Sequence, residues 1–150
     1  MSDEYYDEEV TYDYVMPVYE FDTIEFNYWI IENTINAETL ATSNVLGYYP
    51  DGNSNFPLAV VNTKEVTSDT DYKGNPLTIK ITTTFELYSG AKTDLLTLHK
   101  QIEKVMITLG FNRLSPSEPY IDSASQQFKM SESFVIKFNL ISRQLERTGA

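Results

Sequence analysis

Residues 77–88 alternate between apolar and polar side chains, and that alternation narrows the folds open to the chain. Leu77, Ile79, Ile81, Phe85 and Leu87 fall on one side; Thr78, Lys80, Thr82, Thr84 and Glu86 fall on the other. Successive side chains of an extended chain point to opposite faces, so the pattern predicts a strand with one buried and one solvated face. A strand of that kind needs sheet neighbours and a second layer over its apolar side. Residues 93–109 supply a covering helix: Leu95, Leu98, Ile102, Val105 and Leu109 step by three and four into one stripe. Thr93 is placed to cap its start, and Asp94 suits the positive end of the helix dipole. Gly110 stands where a left-handed residue ends a helix, and Phe111 is placed to fold back on the last turn.

The remaining elements follow from the same reasoning. Residues 23–41 predict a first helix, with Ile24, Tyr28, Ile31 and Ile35 as its stripe, Trp29 beside it, and Asp22 or Thr23 as N-cap. Residues 47–55 read as a loop, 56–66 as a strand and 68–76 as a polar hairpin tip. After a loop at 112–119, two strands at 120–130 and 134–141 meet at a Ser-Glu turn, with Phe134, Ile136, Phe138 and Leu140 on one face. The expected order is helix, strand, strand, helix, strand, strand. The expected fold is α+β, with about four mainly antiparallel strands and both helices on one face. Residues 1–22 form an acidic Tyr-rich arm, 23–142 one domain, and 143–150 a short polar tail.

Charge is divided unevenly. The first Lys or Arg is Lys64, and 12 acidic residues precede it; from Lys64 onward 11 basic and 10 acidic residues give +1, for −11 overall. A chain so poor in cations before Lys64 is badly suited to wrapping nucleic acid, whose binding rests on phosphate neutralisation. It suits a basic partner, or a surface that DNA passes without sticking. The N-terminus, MSDEYYDEEV, carries no secretory signal pattern, and no apolar run approaches a membrane span. Synthesis in a cytoplasm is the expectation. There are no cysteines, so disulfides and thiolate metal sites are excluded.

Catalytic patterns are scarce. The single histidine, His99, lies inside the second helix and reads as a helix-surface residue. No Gly-x-Ser-x-Gly elbow and no phosphate-binding glycine loop occurs. Asp51-Gly-Asn53-Ser-Asn55 opens like a calcium loop but puts Phe56 where that loop needs glycine and supplies no closing glutamate; it reads as a turn. The run Asp3, Glu4, Asp7, Glu8, Glu9 has no rigid element to set a metal geometry. A non-enzymatic protein with no cofactor and no metal is expected.

One ordered set of motifs resembles a known family. Val105-Met-Ile-Thr-Leu-Gly-Phe-Asn-Arg113 ends a helix in a pattern similar to the second helix of tailed-bacteriophage tail terminator (tail completion) proteins. Glu32-Asn33-Thr34 in the first helix, Tyr49-Pro50 leading to Phe56-Pro57-Leu58, and Glu86-Leu87-Tyr88-Ser89 before the second helix agree in order and spacing. The resemblance covers residues 22–143. It implies a ring, commonly hexameric, at the head-proximal end of the tail. That ring stops tail-tube polymerisation and joins the tail to the head connector. The implied partners are copies of itself, the tube protein and neck proteins, with DNA passing through unbound, no membrane, and the virion as final location. The acidic arm is longer than the family pattern.

A ring subunit needs two different complementary patches. Loops and aromatic side chains are the natural places to look for them. The candidate interface residues are Tyr5, Tyr6, Tyr12 and Tyr14 on the arm, Tyr48 and Tyr49 in the loop, Tyr72 and Lys73 at the hairpin tip, and Arg143 and Arg147 at the end. The alternatives are another neck or tail-tube joining protein and, in a different class, a small acidic inhibitor mimicking DNA.

Overall fold

The computed structural model describes residues 22–41, 44–50 and 56–146. In chain order these are α1 (Thr23–Asn36), β1 (Val45–Leu46), β2 (Leu58–Thr70), β3 (Pro76–Ser89), α2 (Lys92–Thr108), β4 (Asn112–Arg113), β5 (Tyr120–Asp122), β6 (Gln127–Asn139) and β7 (Gln144–Glu146). The expected four-stranded sheet and strand order are corrected. The described residues form an α+β fold whose seven-stranded mixed sheet has the backbone order β1-β2-β3-β6-β4, with β5 and β7 also on β6. β1 runs parallel to β2; the other pairings are antiparallel.

The largest revision concerns residues 120–141. Ser131-Glu132-Ser133 is not a turn but the middle of one long strand, β6. Its alternation never breaks: Met130, Glu132, Phe134, Ile136 and Phe138 point inward and are buried. A glutamate at an inward position imitates a turn in sequence. The other side of β6 carries three short strands in succession: β5 opposite Gln127–Lys129, β4 opposite Phe134–Val135, and β7 opposite Lys137–Asn139. Between them Leu114 and Ser117 donate backbone N–H groups to Ser133 and Ser131. Pro116 and Pro119 lie in this stretch, where a missing N–H is tolerated because the strand is at the edge.

Register fixes the core. β3 pairs with β6 from Thr78↔Asn139 to Ser89↔Phe128, and with β2 from Leu58↔Tyr88 onward. Ala59, Val61, Ile79, Ile81, Phe85, Leu87, Met130, Phe134, Ile136 and Phe138 therefore share one face, which α1 and α2 cover. Phe85 and Phe134 meet edge to face, 5.9 Å apart. The stripe of α2 is Leu95, Leu98, Ile102 and Met106, with Val105 only half-buried. The stripe expected for α1 is turned. Phe26, Ile30, Ile31 and Thr34 are buried, whereas Ile24 and Tyr28 are 70% and 67% exposed.

The helix ends show how local chemistry sets the packing. Asp22 caps α1, its carboxylate accepting from the N–H groups of Ile24 (2.9 Å) and Glu25 (3.2 Å). α2 begins at Lys92 behind Ala91, with no side-chain cap, so Thr93 is not its N-cap. At its end Gly110 adopts φ 101°; its N–H donates to Ile107 O and that of Phe111 to Met106 O, both at 3.0 Å. This paired closure leaves Phe111 buried against Phe26, with ring centroids 6.2 Å apart, and so ties the two helices together. An alanine at Gly110 meets the left-handed backbone with a Cβ. Gly110→Ala is expected to cost about 1–2 kcal/mol in urea unfolding. Equal or greater stability of that variant would contradict the closure.

Candidate functional site

The buried polar pair under α2 is the first place to look for chemistry. His99 is not a surface residue: its side chain is 12% exposed, and its Nδ1 is hydrogen-bonded at 2.8 Å to Oε1 of Glu132, whose side chain is fully enclosed. Glu132 stands beside Phe85 across the β3–β6 ladder, and its Oε2 has no hydrogen-bond partner. Burial, reinforced by nearby Glu103 and tempered by Arg113, pushes the Glu132 carboxyl up to about 8. Burial likewise lowers His99, against the pull of Glu103. A neutral pair is thus favoured inside, because neither charge has water to solvate it. Glu103 itself is ion-paired with Arg113. Among the described residues no group of three or more His, Cys, Asp or Glu is placed to hold a metal ion.

A second set of polar groups lies, mostly half-buried, on the outer face of the sheet. Thr82, Thr84, Ser131 and Ser133 line its centre, with Thr84 and Ser133 hydroxyls 2.9 Å apart. Lys80 and Lys137 are direct cross-strand neighbours there. Lys137 is offset by Asp69, 3.4 Å away, whose carboxyl is held low first by the Thr78 hydroxyl and then by Lys137. A shallow depression of about 750 Å³ is bordered by Gly47, Val60, Lys64, Val66, Thr82 and Glu86.

One end of that face is aromatic. Tyr49 packs on Tyr88 with ring centroids 5.1 Å apart. Lys129 Nζ stands 5.2 Å from the Tyr88 ring centroid and 3.9 Å from Glu86 Oε1. Tyr120 is the cross-strand partner of Lys129 and is half exposed. The cation held over one ring and the exposed edges of two others form a sticky patch of mixed character.

The predicted interface residues are split by the fold. Tyr48 and Tyr49 follow β1; Tyr49 packs on Tyr88 near the end of β3, and Tyr48 borders a depression with Asn62 and Thr63. Tyr72, 92% exposed with Lys73 Nζ 5.5 Å from its ring, is at the opposite end, on the β2–β3 turn. Asp71 rigidifies that turn by accepting from the N–H groups of Lys73 and Asn75. Arg143 is at the same end as Tyr72, in the turn from β6 to β7, with φ 62°. Tyr5, Tyr6, Tyr12, Tyr14 and Arg147 lie outside the described residues. The sequence reading missed Glu132, Tyr88 and Tyr120. The one signal that pointed to Glu132 was the inward parity it shares with Met130 and Phe134.

The His99–Glu132 pair gives a pH signature. The folded state keeps the Glu132 proton up to about pH 8, whereas an unfolded glutamate releases it near 4.5. Just below pH 6.5 the lowered His99 acts oppositely, since the unfolded state takes up its proton first. The two offset each other there, so the net loss falls between pH 6.5 and 8. Unfolding free energy is expected to drop across that window by up to about 1.4 kcal/mol per pH unit. Glu132→Gln, which cannot ionise, is expected to flatten the slope in denaturation titrations. A slope unchanged in the variant would assign it to other groups.

Compared with known proteins, the chain matches no family model and no curated protein.

Proposed function

We propose that the chain is a structural subunit of a tailed-phage particle. It forms a ring at the head-proximal end of the tail, where it terminates tube growth and joins the tail to the head connector. The observation that carries this reading is the placement of two unlike patches at opposite ends of one rigid sheet. The aromatic-cation patch of Tyr49, Tyr88, Tyr120 and Lys129 is at one end. The turn bearing Tyr72 and Lys73, with Arg143 nearby in topology, is at the other. A head-to-tail contact between unlike patches generates rings when its rotation closes. The ordered motifs support the family reading, and the closure at Gly110 and Phe111 gives one of them a structural role in joining the helices.

The enclosed position of the His99–Glu132 pair also favours a scaffold over an enzyme, because a reacting group must reach its substrate. The ring is expected to be visible by negative-stain microscopy and native mass spectrometry of the purified protein, as one closed species that does not stack into tubes. Tyr72→Ala removes a side chain almost fully in water and is expected to leave the unfolding transition in place. It is expected to weaken ring formation by roughly thirty-fold, the effect of losing an aromatic anchor of about 2 kcal/mol. A wild-type chain that stays monomeric at every concentration, or long stacked tubes, would contradict the proposal.

A further inference from the structure

The long strands gather a basic cluster on the outer face of the sheet. Lys80 on β3 stands directly across from Lys137 on β6 and from Val66 on β2, and Lys64 lies two residues from Val66 on the same side. Like charges directly opposite each other repel. Asp69 offsets Lys137. Lys64 and Lys80 are exposed, and among the described residues no acid pairs with either. Val66, beside them, is 64% exposed.

The exposed face of α1 has the opposite character. Ile24, Tyr28 and Glu32 follow one another at intervals of four along the helix, and Glu25 stands beside them. All four side chains are exposed. α1 contains no Lys or Arg, and among the described residues no cation pairs with Glu25 or Glu32. One face thus sets two cations around an exposed valine, and the other sets two acids around an exposed tyrosine and isoleucine.

The spacings agree as well. Glu25 and Glu32 are two turns apart, about 10 Å along the helix axis. Lys64 and Lys80 are one strand and two residues apart, about 8 Å. The reach of two lysine side chains closes that difference and leaves Tyr28 over Val66 between the charges. Within one molecule the two faces cannot meet, because α1 covers the inner side of the sheet and the lysines are on the outer side. A second copy of the chain supplies the match.

We propose that the exposed face of α1 in one copy docks on the outer sheet face of another, with Glu25 and Glu32 against Lys64 and Lys80 and with Tyr28 against Val66. The contact lies apart from the end patches and does not rest on the ring reading; two copies suffice to make it.

Sedimentation velocity with exchanged charges tests it. Lys64→Glu with Lys80→Glu makes both faces acidic, and Glu25→Lys with Glu32→Lys makes both basic. Each variant alone is expected to associate at least about a hundredfold more weakly than the wild type, because like charges then meet. An equimolar mixture of the two is expected to recover association, since every face again finds its opposite. Wild-type association is expected to weaken as salt rises to about 0.5 M, where exposed charges are screened within a few ångströms. A mixture that stays monomeric, a wild-type chain that never associates, or an association indifferent to salt overturns the proposal. A variant that alone associates as well as the wild type also overturns it, and leaves the end patches as the contact between copies.

Discussion

The β3–β6 ladder is the interaction on which the other elements depend. Its register, running from Thr78↔Asn139 to Ser89↔Phe128, puts the apolar sets of both long strands on one face. A slip of one residue would turn every one of those side chains to the solvent side. β2 adds Ala59 and Val61 to the same face, and the helices close over it. The helices are held in turn by Phe111, which the closure at Gly110 directs onto Phe26. Sheet register and one helix end thus define a single core, and the residues of opposite parity, Thr82, Thr84, Ser131 and Ser133 among them, form the outer face.

Glu132 is the one buried carboxyl among the described residues. A carboxyl with full enclosure and one unsatisfied oxygen is costly to bury, and it is kept tolerable by the His99 contact and by staying protonated. The pair also pins α2 to the centre of β6, because a hydrogen bond between side chains demands a fixed approach that apolar packing alone does not.

Much of the fold was legible in the sequence where periodicity was unbroken. The alternation at 77–88 reappears as β3, and the stripe at 93–109 as α2. Reading failed where two rules competed. Ser131-Glu132-Ser133 is polar enough to resemble a turn, and only the inward parity of position 132 shows that the strand continues. The stripe of α1 was assigned to the wrong face because Ile24 and Tyr28 are apolar yet exposed, while Thr34 is buried with its hydroxyl bonded to Ile30 O at 2.9 Å. The short strands β1, β4, β5 and β7 carry too few residues for any period, and tertiary pairing alone makes them. Of the surface, the exposed Tyr72 was legible as a turn residue. The patch around Tyr88 was not, since it forms only when β1, β3, β5 and β6 converge.

The described residues give a sheet with unlike patches at its two ends and helices over one face; a closed ring of such subunits is what we propose. The central claim is the place of that ring in a phage particle. The most direct measurement is electron microscopy of lysates from a phage genome carrying this gene, compared with the same genome after its deletion. Filled heads beside free tails of uncontrolled length are expected when the gene is removed. Normal, infectious, fully joined particles without the gene would contradict that claim.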